Sequence, residues 1–144
     1  MRKILFVPLL LILLLLAPIG TIAESDVYQP AEKSQEELMM DMFLSLLLPT
    51  IQEDVANYYS DYLTTSPLVY PYEIKILNME RTNNYRGYLF SISIEVLPML
   101  GAHNPVGRDH LTYTINPAEA ALKEFKHLES FELPEHLKGN IKKK

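Results

Sequence analysis

Cysteine is absent from the chain, which rules out a disulfide framework, a thioether lipid anchor and a thiol nucleophile. Glycine is scarce: Gly87, Gly101, Gly107 and Gly139 are the four beyond the N-terminal segment, and they are too scattered to cradle a phosphate. No serine sits in a Gly-x-Ser-x-Gly elbow or another recognisable triad context. Basic residues are outnumbered, with 13 Lys and Arg against 18 Asp and Glu. Nucleic-acid binding relies on basic patches that displace counterions, so this balance argues against it. The residue constellations that reaction classes demand are missing too, which argues against an enzyme and leaves no cofactor implied. No internal repeat or low-complexity tract is present.

What the chain does have is a leader. Met1-Arg2-Lys3 is basic, Ile4 to Ile19 is an apolar run of 16 residues, and Thr21-Ile22-Ala23 ends in small residues. That order predicts a secretory signal peptide over 1–23, with cleavage between Ala23 and Glu24. The run is shorter than the roughly 20 residues of a comfortable membrane span. Extended through Ile22 it approaches that length, so an uncleaved apolar helix anchoring the chain is the alternative. Both readings put the rest of the chain outside the cytoplasmic membrane, secreted or at the cell surface, with membrane contact only through this segment. Without the leader, 121 residues remain, enough for one domain and one core. Loss of Arg2 and Lys3 leaves 11 of the 13 basic residues against all 18 acids, a net charge of −7.

Residues 24–33 read as a flexible spacer, and Ser34-Gln35-Glu36-Glu37 as a capping box that starts a helix. Leu38, Met42, Leu46, Ile51, Val55, Tyr58 and Tyr62 follow at helical intervals as a core face. Pro49 lacks an N–H and crowds the preceding turn, so 35–63 is either one helix kinked there or two helices meeting near Leu48. Past Ser66-Pro67 the period changes to two. Tyr72, Ile74 and Ile76 form one alternating run, and Tyr88, Phe90, Ile92, Ile94 and Val96 form a second. The turn residues 81–87 between them predict an antiparallel hairpin. A third strand is expected over 108–115, with Leu111, Tyr113 and Ile115 on one side. In 116–128 two signals conflict. Asn116, Pro117 and Glu119 spell a helix start, while Ala121, Phe125, His127 and Phe131 share strand parity. Periodicity alone favours the helix. The single domain spans 34–134, and 135–144 reads as a basic, flexible tail ending in Lys142-Lys143-Lys144.

The string Leu97 to Gly107, centred on Gly101-Ala102-His103-Asn104-Pro105-Val106-Gly107, carries a resemblance. Leu46-Leu47-Leu48-Pro49 with Ile51-Gln52, Asn57-Tyr58-Tyr59, Ser66 to Glu73, Leu111-Thr112-Tyr113 and Phe125-Lys126-His127 extend it over roughly 36–134. Together they resemble the domain of unknown function 3888 family, short exported proteins of spore-forming bacteria. The resemblance implies no activity, substrate or catalytic residue. It does imply that the segment after Pro117 is strand-like, and on that ground a fourth strand after a short turn is expected there.

The expected fold is α+β: an N-terminal helix kinked at Pro49, packed on a curved antiparallel sheet of three to four strands. That layout is similar to cystatin-like and nuclear-transport-factor-like domains. For chemistry, the polar cluster His103, Asp109 and His110, with His127 reaching in from the neighbouring strand, is the candidate divalent-metal set. Its spacing matches no metal motif, and loop Asn and Asp side chains commonly satisfy backbone N–H groups instead. Tyr58, Tyr59, Tyr62, Tyr70 and Tyr72 crowd the helix-to-strand crossing. Any exposed among them, with Tyr59, Tyr70 and Tyr72 as candidates, would form a partner-binding surface. The first functional expectation is a non-catalytic binding module for a protein or cell-envelope partner. The second is a ligand- or metal-binding domain, or a hydrolase, built on a helix–sheet pocket near the His103–His110 loop.

Overall fold

A computed structural model describes residues 28–143. The expected signal peptide, its Ala23/Glu24 cleavage site and the first residues of the spacer lie outside them. The described chain is α+β: one long helix, α1 (Gln35–Tyr59), precedes a four-stranded antiparallel sheet. The strands are β1 (Lys75–Arg81), β2 (Phe90–Val96), β3 (Gly107–Ile115) and β4 (Ala120–Ser130), paired in chain order. Short 3₁₀ turns cover Pro71–Glu73 and Glu135–Asn140. Among the described residues no helix is long and apolar enough to cross a membrane.

Ser34 caps α1 as its sequence predicts, its hydroxyl accepting from the Glu37 N–H at 3.0 Å. The reciprocal arm differs: the Glu37 carboxylate takes the N–H of Lys33, one residue early, at 2.6 Å. Ser34 N–H instead bonds Ala31 C=O, so both orphan donors are still satisfied. Pro49 lies inside one helix rather than between two, and that helix ends at Tyr59, not residue 63.

The helix's inner face corrects the expected one. Leu44, Leu47, Ile51, Val55 and Tyr59 are buried, whereas Leu38, Met42 and Leu46 are exposed. The step from Leu46 to Ile51 is five residues, about 500° of rotation, so the two stripes are out of phase by about 140°. The true stripe steps back from Ile51 by four and then three residues. Ile76, Ile92, Ile94, Val96, Leu111 and Tyr113 supply the sheet side of this core. The opposite sheet face stays polar, as the alternating burial of β2 and β3 requires.

Gln52 fastens the chain that leads from helix to sheet. Its side-chain amide donates to Pro67 C=O at 2.8 Å and accepts from Val69 N–H at 2.9 Å, imitating a strand partner. Leu68 and Met99 then exchange two backbone hydrogen bonds of 2.8 Å, tying this segment to the β2–β3 loop.

Residues 120–130 are a strand, as the resemblance implied and periodicity did not. Asn116 does use its cap chemistry: its Oδ1 accepts from Ala118 and Glu119 N–H, while its own N–H donates to Glu119 C=O. The product is a tight turn joining β3 to β4, because local Asx bonding serves a turn as well as a helix start.

Residues 135–142 are docked, which corrects the reading of 135–144 as a flexible tail. Leu137 packs on the core, Ile141 bridges Leu63, and Lys142 N–H donates to Tyr62 C=O at 2.9 Å. Lys142 Nζ donates to Ser60 C=O at the C-terminal end of α1. The last helical turn holds no basic residue of its own, so this lysine supplies the cation that a helix C-terminus favours.

Candidate functional site

Where α1 ends over β3 and β4, four polar side chains form one hydrogen-bonded line. Asp109 is the only buried charged residue among those described, with 0 % of its surface exposed. Its Oδ2 accepts from the Tyr59 hydroxyl at 2.9 Å, and its Oδ1 faces His127 Nδ1 at 2.6 Å. His127 Nε2 in turn faces the Ser130 hydroxyl at 2.7 Å. An ionised Asp109 accepts from Nδ1–H, which leaves Nε2 as acceptor for the serine O–H. The resulting order is Ser130 to His127 to Asp109, with Tyr59 locking the far carboxylate oxygen.

A strand would normally put residues 127 and 130 on opposite faces. Here the register slips: Asp109 pairs with His127 but Arg108 with Glu129, so Leu128 is the extra residue of a bulge. The bulge returns Ser130 to the side of His127. Ser130 lies opposite Gly107, and that glycine permits the close approach. A Cβ on residue 107 would fall 2.8 Å from His127 Cε1 and 2.8 Å from Glu129 C=O, and would also strike the Tyr59 hydroxyl.

Burial pushes the Asp109 carboxyl above the ordinary range, and the hydrogen bonds from His127 and Tyr59 only partly offset it. Burial likewise raises the Tyr59 phenol, reinforced by the Asp109 charge. Tyr58 is pushed up to about 12, first by burial and then by the neighbouring Tyr62. These phenols stay protonated donors at any ordinary pH.

Beside this line lies a pocket of about 370 Å³ with Tyr58, Tyr62, Val106, Phe131, Leu133 and Ile141 on its walls and His127 and Ser130 on its polar edge. Tyr58 stacks on Phe125, ring centroids 4.3 Å apart, and on His127 at 5.6 Å. Docking of residues 135–142 brings in Ile141 and so closes one side.

The expected metal set separates. Asp109 and His127 come together, while His110 points to the opposite sheet face, 3.2 Å from Glu95. His103 sits in the exposed β2–β3 loop in a left-handed conformation, φ 58°. Among the described residues no group of three or more His, Asp or Glu side chains converges as a cation site. That loop is held by Asn104, whose amide donates to Ala102 C=O at 2.7 Å and whose C=O accepts from Leu100 N–H. Of the candidate partner-surface tyrosines, Tyr59 is buried, whereas Tyr70 and the exposed Tyr72 stack at 5.4 Å.

Sequence reading missed Ser130 and the role of Tyr59. One signal was available: Asp109 shares the parity of Leu111, Tyr113 and Ile115, and a carboxylate on an apolar strand face needs a partner. The bulge that recruits Ser130 leaves no such mark.

Residues 39–129 match the family model described as a protein of unknown function (DUF3888). The chain belongs to this family. Comparison with curated proteins and with solved structures gives no match. The DUF3888 match takes in α1 from Met39 and the whole sheet to Glu129, including Tyr59, Asp109 and His127, and stops one residue before Ser130.

Proposed function

We propose that this DUF3888 protein is a small binding module that works outside the cytoplasmic membrane and takes a ligand at the C-terminal end of α1. The pocket of about 370 Å³ carries the reading. Its size is that of a small-molecule site, and its make-up is the usual one: apolar and aromatic walls with a few convergent polar groups. A flat, largely apolar ligand with one hydrogen-bonding group suits Tyr58, Tyr62 and Phe131 on one side and His127 and Ser130 on the other. The buried Asp109 fixes the imidazole, so the polar edge is set before a ligand arrives. Export is supported by the basic, apolar and small-residue order of residues 1–23.

Titration with 4-nitrophenol, followed by amide chemical shifts, tests the pocket. Shifts should cluster at His127, Ser130 and Phe131, and Ile141→Trp at the rim should abolish them. Saturating probe without such shifts would sink the reading. Export is tested separately, by mass spectrometry of the product secreted from a bacterial host, with Glu24 expected as the first residue.

A protein or cell-envelope partner is the second reading, favoured by the stack of the half-buried Tyr70 on the exposed Tyr72 in the chain that precedes β1. Tyr72→Ala should then weaken capture of the protein by envelope extract without moving the 4-nitrophenol shifts.

A further inference from the structure

We propose that Ser130 is a nucleophile and that the pocket beside it hydrolyses esters with small apolar acyl groups. The inference rests on the pocket reading above and adds a reaction to it. Three observations carry it. His127 Nε2 lies 2.7 Å from the Ser130 hydroxyl, within the reach a general base requires. The other ring nitrogen is held 2.6 Å from a carboxylate that is fully buried and that Tyr59 fixes from its far side. The serine and the imidazole both open onto the apolar pocket, where an acyl chain has somewhere to go. Nucleophile, base and orienting group are thus met in sequence, on a strand edge unrelated to any nucleophile elbow.

The step balances with water as the second reactant. Ser130 Oγ forms a bond to the acyl carbon as its proton passes to His127 Nε2, and the carbonyl π pair moves onto oxygen. Collapse of the tetrahedral species breaks the C–O bond to the leaving group, which takes the proton from Nε2. Water then attacks the acyl-serine, gives its proton to Nε2, and the carboxylic acid departs as Ser130 regains that proton. One ester and one water give one acid and one alcohol. Among the phenols lining the pocket Tyr59 is committed to Asp109, so Tyr58 and Tyr62 are the side-chain donors left for the developing oxyanion. Asp109 is a positioning residue: it holds the imidazole tautomer and touches no substrate.

The test uses the full-length chain with two probes, a fluorophosphonate and 4-nitrophenyl butyrate. The fluorophosphonate adduct should map to Ser130 by peptide mass spectrometry. Ser130→Ala and His127→Gln should each lower labelling and steady ester turnover about a hundredfold or more. Asp109→Asn should lower turnover and change its pH profile, because an amide no longer fixes Nδ1–H toward it. The exposed His136→Ala is the control for adventitious imidazole catalysis and should change nothing. Ester cleavage that survives Ser130→Ala, or an adduct elsewhere, overturns the proposal. Wild type that shows the 4-nitrophenol shifts but takes no label loses the nucleophile and keeps the pocket; the absence of both overturns the two readings together.

Discussion

The hydroxyl of Tyr113, on β3, donates to the carboxylate of Asp54, on α1, at 2.9 Å. Tyr59 and Asp109 repeat the arrangement with the roles exchanged, the phenol now on the helix and the carboxylate on the strand. Two crossed tyrosine–carboxylate bonds therefore fix the helix over the sheet. Apolar packing alone tolerates small slides of a helix, whereas directional bonds to charged groups define one position. The second of these bonds also belongs to the polar line at the pocket, so what seats the helix also orients His127.

Removing the Tyr113 hydroxyl isolates the structural half of this device. Tyr113 is fully buried, and burial, reinforced by Asp54, keeps its phenol protonated. In Tyr113→Phe the part-buried Asp54 loses a charge-assisted bond, which costs about 1.5–3 kcal/mol. Urea denaturation should show that loss with an unchanged m-value. Probe binding at the pocket should persist, since nothing at His127 or Ser130 is touched. An unchanged midpoint would mean that Asp54 is served equally well by water.

Gly107 is the position where a single methyl group tests the whole site. Its added Cβ meets Glu129 backbone and the His127 ring at 2.8 Å each, and neither is the free end of a flexible side chain. Gly107→Ala should destabilise the fold by about 1–3 kcal/mol, the usual cost of overfilling a packed place. It should also separate His127 from Ser130, visible as a changed imidazole proton signal in the NMR spectrum. Wild-type stability and an unmoved histidine resonance would show that β4 shifts outward freely there.

Much of this architecture was legible from pattern. Alternation in 90–96 and 108–115 located β2 and β3, because each buries one face only. Ser34 announced the helix through its side-chain chemistry. Other features rest on contacts distant in sequence. Gln52 looks like an ordinary polar helical residue until Pro67 and Val69 come beside it. Ala120 to Leu122 has helical propensity, but pairing with Tyr113 to Ile115 decides its state, and pairing partners are not written locally. The candidate site was half visible. Asp109 and His127 stood out as ionisable groups near a polar loop; strand alternation turns His110 away from its neighbour Asp109, and a one-residue slip at Leu128 brings Ser130 in instead.

Across the polar face of the sheet, Lys75 Nζ lies 3.0 Å from Glu95 and His110 lies 3.2 Å from its other oxygen. Burial pushes the Glu95 carboxyl up, but the bonds from Lys75 and His110 outweigh it and hold the group below its ordinary value. A depressed acid stabilises the fold above its unfolded pKa, about 4.3, and that contribution disappears as pH falls through the folded value. Glu95→Gln should therefore cost about 1 kcal/mol near neutral pH and nothing in strong acid. Asp109 acts with the opposite sign. Its raised carboxyl favours the protonated fold, so its contribution diminishes as pH rises from about 3.9 through the folded value. Thermal melts of both proteins between about pH 3 and pH 7 check the pair: the wild-type advantage must shrink toward acid, and a constant difference would refute the assignment to Glu95.

The C-terminal segment offers the last test, because its sequence suggests a free tail and its contacts do not. Leu137 covers core, Ile141 closes one side of the pocket, and Lys142 meets carbonyls just past the helical residues of α1, Ser60 through its ammonium group and Tyr62 through its N–H. Ending the chain after Pro134 removes all of these and should cost about 2 kcal/mol, from lost apolar burial and unpaired carbonyls together. Lys142→Ala should cost only about 0.5 kcal/mol, the value of a cation at an exposed helix end, and that loss should fade as salt is added. The two variants separate at the pocket: truncation should weaken 4-nitrophenol binding by opening the Ile141 side, whereas Lys142→Ala should leave it unchanged. A truncated chain with full stability and full probe affinity would show that residues 135–142 touch the domain without holding it.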